Sequence, residues 1–232
     1  MFKEKKILAV VPARGGSKGV PKKNIRPLAG KPLIAHTAEL IQQIDWIDRA
    51  IVSTDSDEIA AVAEAAGLAA PFRRPDALGG DIIGDIDVLE HALQAIEEID
   101  GTQYDIILML QPTSPCRTES HIFQCLEKLV DEQRDAVWTV SPVDCKFHPL
   151  KQLQPTADGG MKLWDEAGKK IIARQQLGES FIRNGAVYAF TRDCLLEQRS
   201  IYGKSMGYVL IEEPLANIDT LADFEKAEAL LK

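Results

Sequence analysis

The chain has 232 residues, 45% of them apolar, with 27 Lys/Arg against 35 Asp/Glu for a formal net charge of −8. That length buries one sizeable core and allows a single domain with a smaller subdomain or arm, and the composition is that of an ordinary globular protein. Its longest apolar stretches, Ile7–Val11 and Ile106–Leu110, are too short to span a membrane, residues 1–6 lack the apolar core of a signal peptide, and the four cysteines include no Cys-x-x-Cys pair, so a cytoplasmic protein with reduced thiols and no membrane partner is expected.

In chain order, a strand over Lys6–Val11 runs into a Gly-rich, Lys-rich loop, followed by a helix over Leu33–Ile44, a strand over Arg49–Thr54 and a helix over Asp57–Ala66. A helix over Ile86–Glu98, a strand over Tyr104–Leu110, a helix over Ser120–Asp131 and a strand over Ala136–Ser141 continue the alternation. The pattern predicts an α/β fold, an open and mostly parallel sheet with helices on both faces. From about 146 to 180 the alternation breaks into short, polar, turn-punctuated pieces such as Asp158-Gly159-Gly160, which predicts a hairpin-built arm inserted into a core of residues 1–145 and 181–232. Strand character returns at Ala186–Thr191 and Tyr208–Ile211. A final helix begins after Asp219, with Thr220 and Asp223 as a capping box, and no second catalytic domain is expected beyond it.

Charge is unevenly spread. Residues 3–31 hold nine Lys/Arg and one Glu, leaving 18 Lys/Arg against 34 Asp/Glu elsewhere. A basic loop on an acidic body predicts a local anionic ligand, whereas a nucleic-acid binder would be basic over a whole face. In the loop itself, Gly15, Gly16 and Gly19 let the backbone approach an anion closely, and Arg14, Ser17, Lys18, Lys22 and Lys23 supply the charge and a hydroxyl that a polyphosphate requires. Neither a P-loop nor a Gly-x-Gly-x-x-Gly dinucleotide loop is present. Read without its context, the segment is a Gly-rich surface turn; its ordered basic residues after a buried-type strand favour a phosphate cradle.

Three further segments carry polar chemistry. Gln111-Pro112-Thr113-Ser114-Pro115-Cys116-Arg117-Thr118 follows a strand and precedes a helix, which places it at the same sheet edge as the first loop, although a rigid turn with Thr118 or Ser120 as N-cap would look the same. Arg174-Gln175-Gln176 and Arg183-Asn184-Gly185-Ala186 add cations and amides, with Arg183 equally a candidate for a surface ion pair. Asn217 and Asp219, two apart in an extended segment, fall on one side and suit a magnesium ion whose other ligands come from phosphates; Asp-Thr before a helix is also ordinary capping sequence. His36, His91 and His121 lie in helical patterns as packing or surface residues, and no zinc pair or nucleophile elbow appears.

Together these segments resemble the acylneuraminate cytidylyltransferase family, the CMP-sialic acid synthetases, along nearly the whole chain. The family's Ala-Arg-x-x-Ser-Lys-Gly-x-x-x-Lys-Asn loop is similar to Ala13–Asn24 and its Gln-Pro-Thr-Ser-Pro-x-Arg loop to Gln111–Arg117. His-Pro-Leu-Lys at 148–151, Arg174-Gln175 and Arg183-Asn184-Gly185-Ala186 complete the likeness. The resemblance implies a Rossmann-like nucleotide-diphospho-sugar transferase fold. It also implies transfer of CMP from CTP to a nine-carbon 3-deoxy-2-ulosonic acid, with magnesium and release of pyrophosphate. Arg14, Lys23 and Asp219 are then the catalytic residues, and Ala13, Arg14, Gly15, Gly16, Ser17, Lys18, Lys23, Asn24, Arg74 and Asp85 hold the nucleotide. Gln111, Arg117, Lys151, Arg174, Arg183 and Asn184 hold the acceptor, and Asp219 with Asn217 the metal. A swapped arm is implied as well, making a homodimer in which Lys151 and Arg174 act in trans. Two positions depart from the pattern. Asn217 stands where the family often has Asp, and Asp85 stands where relatives commonly place a small hydroxyl that reads the base; a carboxylate there can accept from the cytosine amino group. A nucleotidyltransferase for another sugar acid or alcohol, and a catalytically weak nucleotide- or sugar-binding module, are the competing readings.

Overall fold

The computed structural model describes residues 1–80 and 83–232. In chain order the strands are β1 (Ile7–Pro12), β2 (Pro27–Leu28), β3 (Lys31–Pro32), β4 (Arg49–Ser53), β5 (Ile106–Met109), β6 (Ala136–Pro142), β7 (Leu153–Pro155), β8 (Met161–Leu163), β9 (Phe181–Thr191) and β10 (Met206–Leu210). The helices are α1 (Leu33–Gln42), α2 (Asp57–Ala65), α3 (Asp85–Asp100), α4 (Glu119–Asp131), α5 (Arg192–Leu196) and α6 (Leu221–Leu230).

Six strands form one sheet in the order β10-β6-β9-β5-β1-β4. Its pairings are parallel except where β9 runs antiparallel to both β5 and β6. Because β1 is flanked by β4 on one side and β5 on the other, the chain reverses direction across the sheet at β1, and the loops leaving β1 and β5 diverge at their carboxyl ends. In an open α/β sheet that divergence makes the ligand crevice.

Alternation along β1 decides which layer each residue serves. Ile7, Ala9 and Val11 join the core that packs α1, α2 and α4, whereas Leu8 and Val10 join the core that packs α3 and α5. All five are fully buried, so the strand reads as a continuous apolar run, as expected of a parallel strand covered on both faces. Caps fix the helix starts that face the crevice. Thr118 accepts from the His121 amide at 3.4 Å while the His121 ring accepts from the Thr118 amide at 3.2 Å, and the Asp223 carboxylate accepts from the Thr220 amide at 2.9 Å. Those bonds, led by the Thr220 hydroxyl, hold the Asp223 carboxyl down at about 2.

A third, smaller cluster governs the site. Val20 from the first loop, Leu28, Leu33, Ile218 and Phe224 pack together, tying the end of the phosphate-type loop to the segment before α6. Val20 and Ile218 are fully buried, each contributing about 1.5–3 kcal/mol. The cluster therefore clamps residues 14–24 against residues 217–219.

Residues 143–180 consist of short 3-10 turns and the β7–β8 hairpin, whose register pairs Leu153 with Leu163 and Pro155 with Met161. This segment keeps apolar side chains in solvent, among them Trp164 (65% exposed) and Ile172 (93%). The observed β9 starts at Phe181, five residues earlier than the apolar pattern predicts, because Phe181, Ile182 and Arg183 pair with β6 although their side chains are mostly exposed. The four cysteines are free, with Cys125 and Cys194 buried.

Candidate active site

A cavity of about 670 Å³ lies at the carboxyl ends of β1 and β5. Its described wall includes Arg14, Ser17, Lys18, Gly19, Lys23 and Asn24 from the first loop, Gln111 to Thr113 after β5, Asn217 and Asp219 before α6, and Arg74, Asp85, Arg183 and Tyr188 from the far side. Asp81 and Ile82, from the segment preceding Asp85, lie outside the described residues.

The first loop is held by its own bonds rather than by regular structure. The Gly15 amide donates to Asp55 Oδ1 at 2.8 Å, and the Ala13 amide donates to the Ser53 carbonyl at 3.0 Å. Asn24 is buried and its Nδ2 donates to the Arg14 carbonyl at 3.1 Å. Glycine is required at 19, where an added Cβ would meet the Asp219 carbonyl oxygen at 2.8 Å. Lys23 closes the loop against the opposite wall, its Nζ donating to the Ile218 carbonyl at 2.9 Å and to Asp219 Oδ1 at 3.1 Å. Asp219 itself is open to the cavity.

Across the cavity, Arg74 is buried, with its guanidinium donating to the Ser53 carbonyl at 2.5 Å and to Ser53 Oγ at 3.3 Å. Burial lowers its pKa, an effect opposed by the charges of Asp55 and Asp85. Burial likewise raises the Asp85 carboxyl, against the pull of Arg183 and Arg74.

β9 delivers two residues to this wall that simple alternation would separate. Arg183 and Tyr188 are five apart and both line the cavity. The pairing with β6 shifts register between Trp138 and Val140, and Gly185 within β9 has φ +77°, so the strand's faces exchange between the two residues. A Cβ at Gly185 would also stand 2.9 Å from Ser114 Oγ, 3.1 Å from Gln111 Oε1 and 3.5 Å from Asn217 Oδ1. Gly185→Ala is expected to cost about 1–3 kcal/mol through its left-handed backbone and these contacts, read as a lowered Tm in thermal unfolding.

Not every residue singled out from sequence reaches the cavity. Arg117 is 5% exposed and serves the framework: it donates to the carbonyls of Ala186 and Gln111 and, at 3.2 Å, to Thr37 Oγ1. Burial pushes its pKa down to about 9, and its bonds form a bracket joining β9, α1 and the Gln111 turn. Asn184 is also buried; its Oδ1 accepts from Thr139 Oγ1 at 2.6 Å and the Ala186 amide at 3.1 Å, and its Nδ2 donates to Ser141 Oγ at 3.1 Å. It pins the β6–β9 irregularity and is not part of the described cavity wall. Ala13 is buried, and Gly15 and Gly16 are absent from the described wall. Lys151 and Arg174 are exposed on the segment containing the hairpin and do not line this cavity.

Sequence reasoning missed Tyr188, which sits in an apolar strand with no local signal, whereas Asp55, whose carboxylate orients Gly15, lies in the Ser53-Thr54-Asp55 segment that the sequence places at a strand's carboxyl end. Among the described residues no group of three or more His, Cys, Asp or Glu could hold a metal ion, and no helix is long and apolar enough to cross a membrane. The oxygens of Asp219 and Asn217 fit magnesium when phosphates complete the shell, because Mg²⁺ is ordinarily bound through one or two carboxylates plus substrate phosphates.

The fold is shared with a solved CMP:2-keto-3-deoxy-manno-octonic acid synthetase complexed with CTP, at a TM-score of 0.72 and 20% identity over 97% of this chain and 98% of that one. In sequence the chain is 32% identical to post-translational flagellin modification protein B of Campylobacter coli, over 97% of this chain and 95% of the relative. It is also 32% identical to the CMP-N,N'-diacetyllegionaminic acid synthase of Legionella pneumophila, over 98% and 97%. A family model described as cytidylyltransferase matches residues 8–231, and the chain belongs to that family.

Proposed function

We propose that this cavity transfers CMP from CTP to a nonulosonic acid, an acylneuraminate or a close relative such as legionaminate, releasing pyrophosphate. The observation that carries the reading is one crevice with five cationic side chains, Arg14, Lys18, Lys23, Arg74 and Arg183, beside the open carboxylate of Asp219. Family membership supports the cytidylyl half of the reaction, and the legionaminate synthase supports the acceptor class.

In this reading Arg14, Ser17, Lys18 and Lys23 grip the triphosphate, with Asn24 and Arg74 toward the cytidine. Gln111 and Arg183 face the acceptor. The acceptor's anomeric hydroxyl gives up its proton to solvent and its oxygen bonds to the α-phosphorus as the bond to pyrophosphate breaks. Charge accumulates on the departing pyrophosphate, so the cations of the first loop stabilise the transition state more than the ground state. Asp219 and Asn217 would hold magnesium, which when bound neutralises phosphate charge. Arg14 and Lys23 position the phosphates in line, and the Lys23 contact with Asp219 aligns the two walls.

The exposed apolar side chains of residues 146–180, with Trp164 and Ile172 foremost, support a homodimer in which this arm covers the partner and brings Lys151 and Arg174 to the partner's cavity. Arg174→Ala and Arg14→Ala proteins, each severely impaired alone, are expected to regain activity on verified subunit exchange, because a mixed dimer holds one intact composite site. Exchange without recovery would refute action in trans. The acceptor is tested by comparing kcat/KM over a panel of 3-deoxy-2-ulosonic acids with CTP and Mg²⁺. Turnover of a nine-carbon acid supports the reading, and turnover only of a different sugar or alcohol overturns it.

A further inference from the structure

The β1–β4 ladder continues into the first loop after its strands have ended. The two strands pair in parallel up to Pro12 and Ser53, and the next rung is the Ala13 amide donating to the Ser53 carbonyl at 3.0 Å. Rungs of a parallel ladder recur at every second residue, which makes Gly15 and Asp55 the following pair. By then the main chain of β4 has turned away: the Thr54 carbonyl accepts from the Arg74 amide at 2.8 Å, and Ser56 caps α2 by accepting from the Ile59 amide at 3.4 Å. The rung is made nonetheless, by a side chain, with Asp55 Oδ1 accepting from the Gly15 amide at 2.8 Å.

Arg14 therefore lies between two rungs, one of main chain and one of side chain, and its own carbonyl accepts from Asn24 Nδ2 at 3.1 Å. The residues that follow it are two glycines, Gly15 and Gly16, whose wide backbone freedom makes an external anchor on Gly15 necessary if Arg14 is to keep one direction. Room for the anchoring carboxylate is kept on its far side. A Cβ at Gly79 would stand 2.7 Å from Asp55 Oδ2, although the backbone there, at φ −88° and ψ −7°, is open to most residues; glycine at 79 provides space rather than a turn. Arg14 lines the described cavity wall and Asp55 does not.

Negative charge bonded to the phosphate cradle opposes an anionic ligand, so the use of Asp55 lies in its acceptor oxygen and not in its charge. We propose that Asp55 is a positioning residue for the transfer: its Oδ1 replaces the rung that the β4 main chain no longer makes, and so sets the direction in which Arg14 meets the phosphates. This rests on the function proposed above, in which Arg14 positions the phosphates in line. It adds a residue that acts on the reaction through Arg14 without touching either substrate.

The test is steady-state kinetics of the full chain with CTP, Mg²⁺ and the preferred sugar acid, in Asp55→Ala, Asp55→Asn, Arg14→Ala and the Asp55→Ala/Arg14→Ala double variant, with Tm measured beside each. Asp55→Ala is expected to lower kcat about ten- to a hundredfold, the scale of a misplacement of about 1 Å. KM for CTP is expected to change by less than about threefold, because the cations that bind the phosphates remain. Asp55→Asn keeps an oxygen for the Gly15 amide and is expected to stay within about threefold of the wild-type kcat. In the Arg14→Ala background, Asp55→Ala is expected to cost no more than about threefold further, since no guanidinium is left to aim. Gly79→Ala crowds Oδ2 without removing the carboxylate and is expected to lower kcat in the same way, which keeps the test readable if Asp55→Ala does not fold. A purely structural loss would add in full to that of Arg14→Ala, and a role exerted through charge would leave Asp55→Asn as impaired as Asp55→Ala; either result overturns the proposal. So does a wild-type kcat in Asp55→Ala, or in Gly79→Ala where Asp55→Ala does not fold. Each of these outcomes leaves the reaction standing, whereas a wild-type protein that turns over no acid removes the underlying reading and this proposal together.

Discussion

Arg14→Ala is expected to lower kcat/KM for CTP by about 10²–10³-fold, the loss seen when one preorganised donor to developing charge is removed, while leaving Tm unchanged. The separation of the two readouts follows from placement. Arg14 lines the cavity, and two bonds that hold the backbone of the loop around it do not involve its side chain: Asn24 Nδ2 donates to the Arg14 carbonyl at 3.1 Å and the Gly15 amide to Asp55 at 2.8 Å. Truncating the side chain keeps both bonds. Steady-state kinetics beside thermal unfolding checks the result, and a parallel fall in Tm would mean that Arg14 is structural.

Arg117→Met is expected to do the reverse and destabilise the fold by about 2–4 kcal/mol, lowering Tm by roughly 5–15 °C in a chain of this size. Two effects oppose each other here. Removing a buried guanidinium relieves the desolvation that draws its pKa down to about 9. Against this, the Ala186 carbonyl and Thr37 Oγ1 lose this donor, and the Gln111 carbonyl keeps only the Ser114 amide at 3.2 Å. Met fills much of the volume but donates nothing, and unmet buried acceptors each cost about 1–3 kcal/mol, so the loss wins. Lys in place of Arg would not rescue stability, because one ammonium cannot reproduce a planar fork aimed at three acceptors. Thermal unfolding of both variants checks this, and a wild-type Tm for Arg117→Met would contradict the bracket.

The contrast between these two arginines shows what sequence makes legible. The α/β alternation and the loops at the sheet edge follow from apolar period and glycine placement, signals that local chemistry writes directly. Arg14 and Arg117 each sit in a loop after a strand, and nothing in their neighbours distinguishes the one that faces the cavity from the one that is buried. That difference arises from the β9 path, where Gly185 at φ +77° and the shift against Trp138 and Val140 turn carbonyls toward Arg117 and aim Arg183 and Tyr188 at the cavity. Tyr188 was hidden for the same reason: in an apolar strand its face depends on an irregularity several residues away. Asn184, between an arginine and a glycine, reads as a polar binding residue, yet its amide satisfies Thr139 and Ser141 within the sheet. The clamp of Val20 against Ile218 is a long-range contact between two unremarkable apolar residues, and it is what brings Lys23 to Asp219.

The most direct measurement is the product balance of the wild-type protein with CTP, Mg²⁺ and the preferred sugar acid, with pyrophosphate and nucleotide products both quantified and the latter identified by mass. CMP-sugar and pyrophosphate in a one-to-one ratio, each absent when the acid or the metal is withheld, is the predicted result. Pyrophosphate accompanied by free CMP at the same rate with or without the acid, or CTP bound and left intact with every acid, would contradict it.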